Sequence, residues 1–271
     1  MRSLSSLTRN LLGVSVISTL ALAIAVGVAQ PTARADVIKL RADNWCPYNC
    51  DPAADKPGFL IEIARAVFAA AGHQIDYKLM PWTRTLEEVR KGTFAGAVGA
   101  SQADAPDLVY GSVPLAIADT AFAVKKGRAF RYSGPAALDG LKVAAIKDYS
   151  YDGGEIDAYL KANADKGDHI QFNAGDDAGP ANLKKLMLGR VDIVVENPMV
   201  LAYAVRQLNL TDQIEIIPVG APNDIFVAFS PADPKAKQWA ELLSAGMTKL
   251  RQSGELATIL ARYGLTDWRG K

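Results

Sequence analysis

Apolar residues recur along this chain in two alternating rhythms, one with the period of a strand and one with the period of a helix. Val37 to Ala42 is a short β-rich run, and Trp45 to Lys56, dense in Pro, Asn, Asp and Cys, reads as a loop. Leu60, Ile63, Ala64, Val67, Phe68 and Ala71 then fall on one helical face, and Gly72 closes the helix. Gln74 to Met80 alternates as a strand, Thr83 to Lys91 supplies a second helix, and Ala95 to Ala100 is a strand of small residues. Strands separated by helices imply a parallel sheet, because each crossover must carry the chain back across it.

A second series starts after Lys125, Lys126 and Gly127. It predicts strands at Val143 to Ile146, His169 to Phe172, Val191 to Val195 and Ile214 to Val219, with helices at Glu155 to Ala162, Leu183 to Leu188 and Met199 to Leu208. A strand from Ile225 to Phe229 follows, and Trp239, Leu242, Leu243, Met247 and Leu250 mark a long helix that Leu256, Ile259 and Leu260 extend beyond Gly254. If this tail packs on the first unit, the fold is α/β with two lobes, each a mostly parallel sheet flanked by helices, joined by a two-strand hinge. The first lobe then comprises 36–124 and 226–271 and the second 125–225, with crossings near 122–127 and 223–228. Two independent beads in a row are the alternative, which the tail disfavours because it cannot form a domain alone.

The ends and the composition narrow the compartment. Arg2 and Arg9 precede an apolar stretch from Leu11 to Val28, and Ala33, Arg34 and Ala35 form an AxA-type cleavage site, so residues 1–35 are expected to be a signal peptide cut after Ala35. A retained membrane anchor is the alternative, since the apolar run is just long enough to span. Removing 35 of 271 residues leaves 236, and removing three arginines with no acid leaves 27 basic against 29 acidic side chains. A chain so near neutrality offers no electrostatic case for nucleic acid or an anionic membrane surface. Cys46 and Cys50 are an even pair in an exported chain and point to a disulfide. So short a loop is stiffened locally, by on the order of 2 kcal/mol at most. A redox pair or half a metal site is weaker, because the spacing is CxxxC and the two histidines, His73 and His169, lie in separate segments.

PGFLIEIARAVFAAAG (57–72), MPWTRTLEEVRKGTFAGAVGA (80–100), LDGLKVAAIKDYSYDG (138–153), LKKLMLGRVDIVVEN (183–197) and the ending LRQSGELATILARYGLTDW follow one another in an order and spacing that resemble a known family. These are the periplasmic solute-binding proteins of the polar amino acid type, family 3 of the bacterial extracellular solute-binding proteins, with the type II periplasmic binding fold. The resemblance implies a monomer that closes on a small polar solute and serves an ABC permease of the inner membrane. It implies no cofactor and no metal. Amino-acid binders of this family carry a Thr and, three residues on, an Arg for the ligand carboxylate. Here Ser101 and Asp104 occupy those places, and the family's Asp for the amino group falls at Glu196.

Candidate site residues follow from where strands end, since helix N-termini gathered there offer free N–H groups to polar solutes. Trp45 and Tyr48 would form an aromatic wall, or Trp45 simply caps a core. Trp82 and Arg84 stand where a strand turns into a helix, and Arg84 would replace the missing carboxylate anchor; alternatively it faces solvent beside Glu87 or Glu88. Tyr149 and Tyr151, in DYSYDGG, would face Trp45, or belong to an ordinary turn. Glu196 ends an apolar strand where a lone charge is costly, so a ligand cation is its expected partner, assisted by Asn197.

The expected function is therefore binding of a small polar solute, amine-bearing or amino-acid-like, without catalysis. Two alternatives stand beside it. A periplasmic cyclohexadienyl (prephenate or arogenate) dehydratase-like enzyme would use an acid about three residues beyond Glu196, where this chain has Met199. A ligand sensor for a membrane signalling protein would close in the same way.

Overall fold

The computed structural model describes residues 35–269, so the leader assigned to residues 1–35 lies, but for Ala35, outside the described residues. Among the described residues no helix is long and apolar enough to cross a membrane. The first series of elements is β1 (Val37–Ala42), α1 (Phe59–Ala70), β2 (Gln74–Leu79), α2 (Trp82–Arg90) and β3 (Gly96–Ala100). The strands pair in parallel with β1 between β2 and β3. The second series is β4 (Ala116–Lys125), a 3-10 turn at Pro135–Leu138, β5 (Val143–Ile146), α3 (Glu155–Ala162), β6 (Ile170–Asn173), α4 (Ala178–Met187), β7 (Ile193–Glu196) and α5 (Pro198–Gln207). β8 (Ile214–Phe229), α6 (Ala236–Ser253) and α7 (Glu255–Ala261) complete the chain.

Strand order is β2-β1-β3-β8-β4-β7-β5-β6. β8 explains how one ribbon serves both lobes. Its last residues pair antiparallel with β3, Phe229 opposite Gly96, while its first pair with β4, Ile214 opposite Lys125. Two strands expected at 214–219 and 225–229 are thus one strand of 16 residues, and β4 is a strand the sequence pattern did not predict. Turn-prone Pro222, Asn223 and Asp224 stay within the strand, and Gly220, with φ 82°, takes the irregular step opposite a register break at Ala118, Thr120 and Ala121.

The lobes divide at that break. Leu115, Ala116 and Ala118 join the first core, with Ile225 and Val227 from the return strand, whereas Phe122 and Val124 already belong to the second. The crossings therefore fall earlier than the expected 122–127 and 223–228, because the bulge, and not the cluster Lys125 to Gly127, marks the change of core.

Helices α6 and α7 return to cover α1. Trp239 meets Phe68 and His73 edge to face, at 6.0 and 4.9 Å between ring centroids. Gly246 lies so close to α1 that a Cβ there would stand 2.3 Å from Val67 Cγ1, so only glycine permits this approach of the two helices. Arg262 Nη1 is 2.6 Å from Glu62 Oε2, tying the end of α7 to α1.

Candidate functional site

The loop after β1 builds one wall of a crevice between the lobes. Trp45 N donates to Asn49 O at 2.8 Å and Tyr48 N to Trp45 O at 2.9 Å, and the Cys46–Cys50 disulfide closes the turn. Trp45 stacks on Tyr48 with ring centroids 4.0 Å apart, so the indole is held from behind. Two residues earlier Asp43 faces the same crevice, and Asn49 Nδ2 fixes its carbonyl at 2.8 Å. Trp82, the first residue of α2, and Ser101, just past β3, complete this side. Ser101 donates from its backbone N (2.9 Å) and its Oγ (2.7 Å) to Asp104 Oδ2, which pins that carboxylate toward the other lobe.

The second lobe contributes the turn from Asp148 to Gly154 and the end of β7. Asp148 is in the left-handed region, with φ 61°, a conformation that Asp tolerates better than most residues. Glu196 is 4% exposed at the end of a wholly buried strand. Its Oε1 accepts from the following Asn197 N at 2.7 Å and, across the crevice, from Trp45 Nε1 at 3.0 Å. Asn197 caps α5, its Oδ1 accepting from Met199 N (2.8 Å) and Val200 N (3.2 Å), while its Nδ2 reaches Tyr48 Oη at 3.2 Å.

The buried Asp43 and Glu196 and the half-buried Asp104 are each met by neutral donors of the opposite lobe. Tyr149 donates its hydroxyl to Asp43, Ser150 N donates to Asp104 Oδ1 at 2.6 Å, and Trp45 serves Glu196. Trp82 Nε1 adds a bond to Asp148 O at 3.1 Å. Neutral donors do not offset the cost of burying charge, and burial is the main reason the Asp43 and Glu196 carboxyls are pushed up to about 7 and that of Asp104 to about 6. Burial also pushes the Tyr149 and Tyr151 hydroxyls up. Asp119 is a fourth acid on the wall, and no Lys, Arg or His lines the crevice among the described residues. About 490 Å³ lies between its walls, open mouth included. Acids and aromatic faces gathered in one cleft attract a cation by charge and by ring quadrupole together. Among the described residues no group of three or more His, Cys, Asp or Glu is arranged to hold a metal ion.

Seven of the nine residues expected at the site line this crevice: Trp45, Trp82, Ser101, Tyr149, Tyr151, Glu196 and Asn197. Tyr151 presents chiefly its backbone, because its hydroxyl is turned back to accept from Ile146 N at 2.7 Å. Two expectations are corrected. Tyr48 lies beneath Trp45, fully buried against Phe59, its hydroxyl donating to Ile117 O at 2.9 Å. Arg84 is exposed and absent from the crevice, because it stands two residues after Trp82 on α2 and so points to the other side of the helix. Asp43, Asp119, Ser150 and Asn223 were not foreseen. A signal for Asp43 was available, since it follows β1 directly at the end where ligands gather.

Several solved structures share this architecture. A histidine kinase sensor domain with similarity to periplasmic binding proteins is 24% identical, with 85% of this chain and 98% of that one covered and a TM-score of 0.69. An ancestral arginine-binding protein bound to arginine is 18% identical over 84% and 98% of the two chains, with a TM-score of 0.67. The arginine-, lysine-, histidine-binding protein ArtJ of Geobacillus stearothermophilus is 16% identical over 86% and 97%, with a TM-score of 0.70. No curated protein matches the sequence significantly. The model of bacterial extracellular solute-binding proteins, family 3, matches residues 41–266, and the chain belongs to that family.

Proposed function

We propose that the protein captures a small cationic solute, amine-bearing and without a free carboxylate, and delivers it to an ABC permease of the inner membrane. The observation that carries this reading is a crevice with four acids, two indoles and, among the described residues, no cationic side chain. Two of the similar structures hold or are named for cationic amino acids. In this chain Asp104 stands where an Arg would meet the carboxylate of such a ligand, and Arg84 does not replace it. An ammonium group therefore finds partners here and a carboxylate meets repulsion.

Binding follows from exchange of partners. The cation replaces Tyr149, Ser150 and Trp45 as partner of one or more acids and supplies the charge these neutral donors lack. Its preference for the closed arrangement, in which both lobes reach it, is what holds the lobes together. The chain acts in this reading as a monomer in the periplasm, exported by the leader at 1–35, with no cofactor and no catalytic step. The residue three beyond Glu196 is Met199, which cannot act as a general acid. The kinase sensor domain among the similar structures favours a second reading, in which the same closure signals across a membrane.

Thermal unfolding of the mature protein tests the ligand class. Putrescine, agmatine or choline at about 100 times its dissociation constant adds roughly 2.7 kcal/mol, which for a chain of this size raises the midpoint by about 5–10 °C. A rise with organic acids or sugars, and none with amines, overturns the reading.

A further inference from the structure

Behind the acidic crevice lies a second cavity with the opposite character. The Cys46–Cys50 loop bounds it on one side and helices α4 and α5 on the other, and it encloses about 1050 Å³ with its open mouth. Ile146, Leu183, Val194, Val200 and Leu201 make its walls apolar, and besides Glu196 its charged lining residues are the exposed Asp51 and Lys56. Trp45 and Glu196 line both cavities, so their 3.0 Å hydrogen bond is the partition between them.

We propose that the solute is an amphipathic amine, its ammonium group in the acidic crevice and its apolar chain passing between Trp45 and Glu196 into the second cavity. This rests on the reading of the crevice as a cation site. Of the two residues in the partition, Glu196 is the one free to yield. Trp45 is pinned by its stack on Tyr48 and by the disulfide-closed loop, whereas Glu196 exchanges the indole N–H for the ligand ammonium without leaving its strand. The indole face then forms one side of the passage, which suits a methylene chain or a ring. A short amine fills only the first cavity, and a longer one removes additional apolar surface from water.

The test is calorimetric titration of the mature protein with n-alkylamines from propylamine to octylamine at pH 8. Affinity is expected to rise roughly three- to fourfold per methylene once the chain passes Trp45, and to level off when the cavity is full. Gly179→Leu and Ala204→Phe fill the second cavity from two helices, and a Cβ at Gly179 meets no atom within 4 Å, so that variant is expected to fold. Both are expected to bind propylamine within about twofold of the wild type and to lose the dependence on chain length. Propylamine binding with no gain along the series overturns this proposal alone, as does a gain that survives in both variants. No binding of any amine overturns both this proposal and the cation reading beneath it.

Discussion

The two lobes bring different kinds of chemistry to the crevice. The first supplies acids and indoles that are braced from within: Ser101 holds Asp104, Asn49 holds the Asp43 carbonyl, and Tyr48 with the disulfide backs Trp45. The second supplies a turn, whose backbone N–H of Ser150 and hydroxyl of Tyr149 reach across to those acids, together with Glu196. One lobe is therefore a preorganised receptor, and the other a closure that makes its bonds only when the lobes meet. Preorganisation lowers the ordering cost of binding, so most of the affinity should reside in the braced acids and in Glu196.

The sharpest way to break this comparison is to neutralise the acid that the second lobe contributes. Glu196→Gln keeps the shape and an acceptor for Trp45 but removes the charge. Loss of one partner from a buried charge pair costs about 2–5 kcal/mol, so amine affinity is expected to fall at least about 30-fold by calorimetry. Stability of the ligand-free protein should hold or rise, since a buried amide is less costly than a buried carboxylate. Wild-type affinity in this variant would show that no cation sits between Glu196 and the first lobe.

Proton linkage gives the next effect. The carboxyls of Asp43 and Glu196 are raised to about 7 and that of Asp104 to about 6 by burial, so the folded, closed state binds more protons than the unfolded chain. Their contribution to stability is complete below about pH 4, where the unfolded carboxyls are protonated too, and is lost as pH rises through 6 and 7. The thermal midpoint of the ligand-free protein is expected to fall between pH 5 and 8. A cation reverses the trend, because it favours the ionised carboxylates. Affinity for a quaternary ammonium ligand, which does not titrate, should rise by up to about tenfold per pH unit over the lower part of that range. A flat affinity profile would mean that the acids are already ionised without ligand.

Trp45→Phe separates the ring from its N–H. The ring that stacks on Tyr48 remains, and the bond to Glu196 Oε1 is lost. A hydrogen bond to a charged group contributes about 1.5–3 kcal/mol, yet the ligand replaces this bond, so the expected loss of amine affinity is under about tenfold. A loss as large as that of Glu196→Gln would make the indole N–H, and not the carboxylate, the principal contact.

These differences were legible in the sequence to unequal degrees. The helix over 60–71 and the long helix of the tail were visible because apolar spacing alone decides a helical face, whereas the packing of that tail on the first unit was only a condition of the two-lobed reading. β4 was not, because Asp119 and Thr120 interrupt a run of small residues that gains its strand character from pairing with β8. Glu196 stood out as an acid ending four buried strand positions. Asp104 was visible only as the absence of an arginine, since its partner Ser150 lies 46 residues away on the other lobe. Tyr48 and Trp45 share one loop, and nothing in their spacing told which ring faces the crevice and which supports it.

Arg84 gives the smallest expected effect and tests the assignment of ligand class from the other direction. Two residues on a helix differ by about 200° around its axis, so with Trp82 turned into the crevice Arg84 is carried to the exposed side. Arg84→Ala is expected to change amine affinity by less than about twofold and stability by no more than about 0.5 kcal/mol, as at other exposed positions without a structural role. A tenfold loss of affinity for any carboxylate-bearing solute in this variant would place the guanidinium against the ligand, and the acids of the crevice would then be holding only one end of a zwitterion.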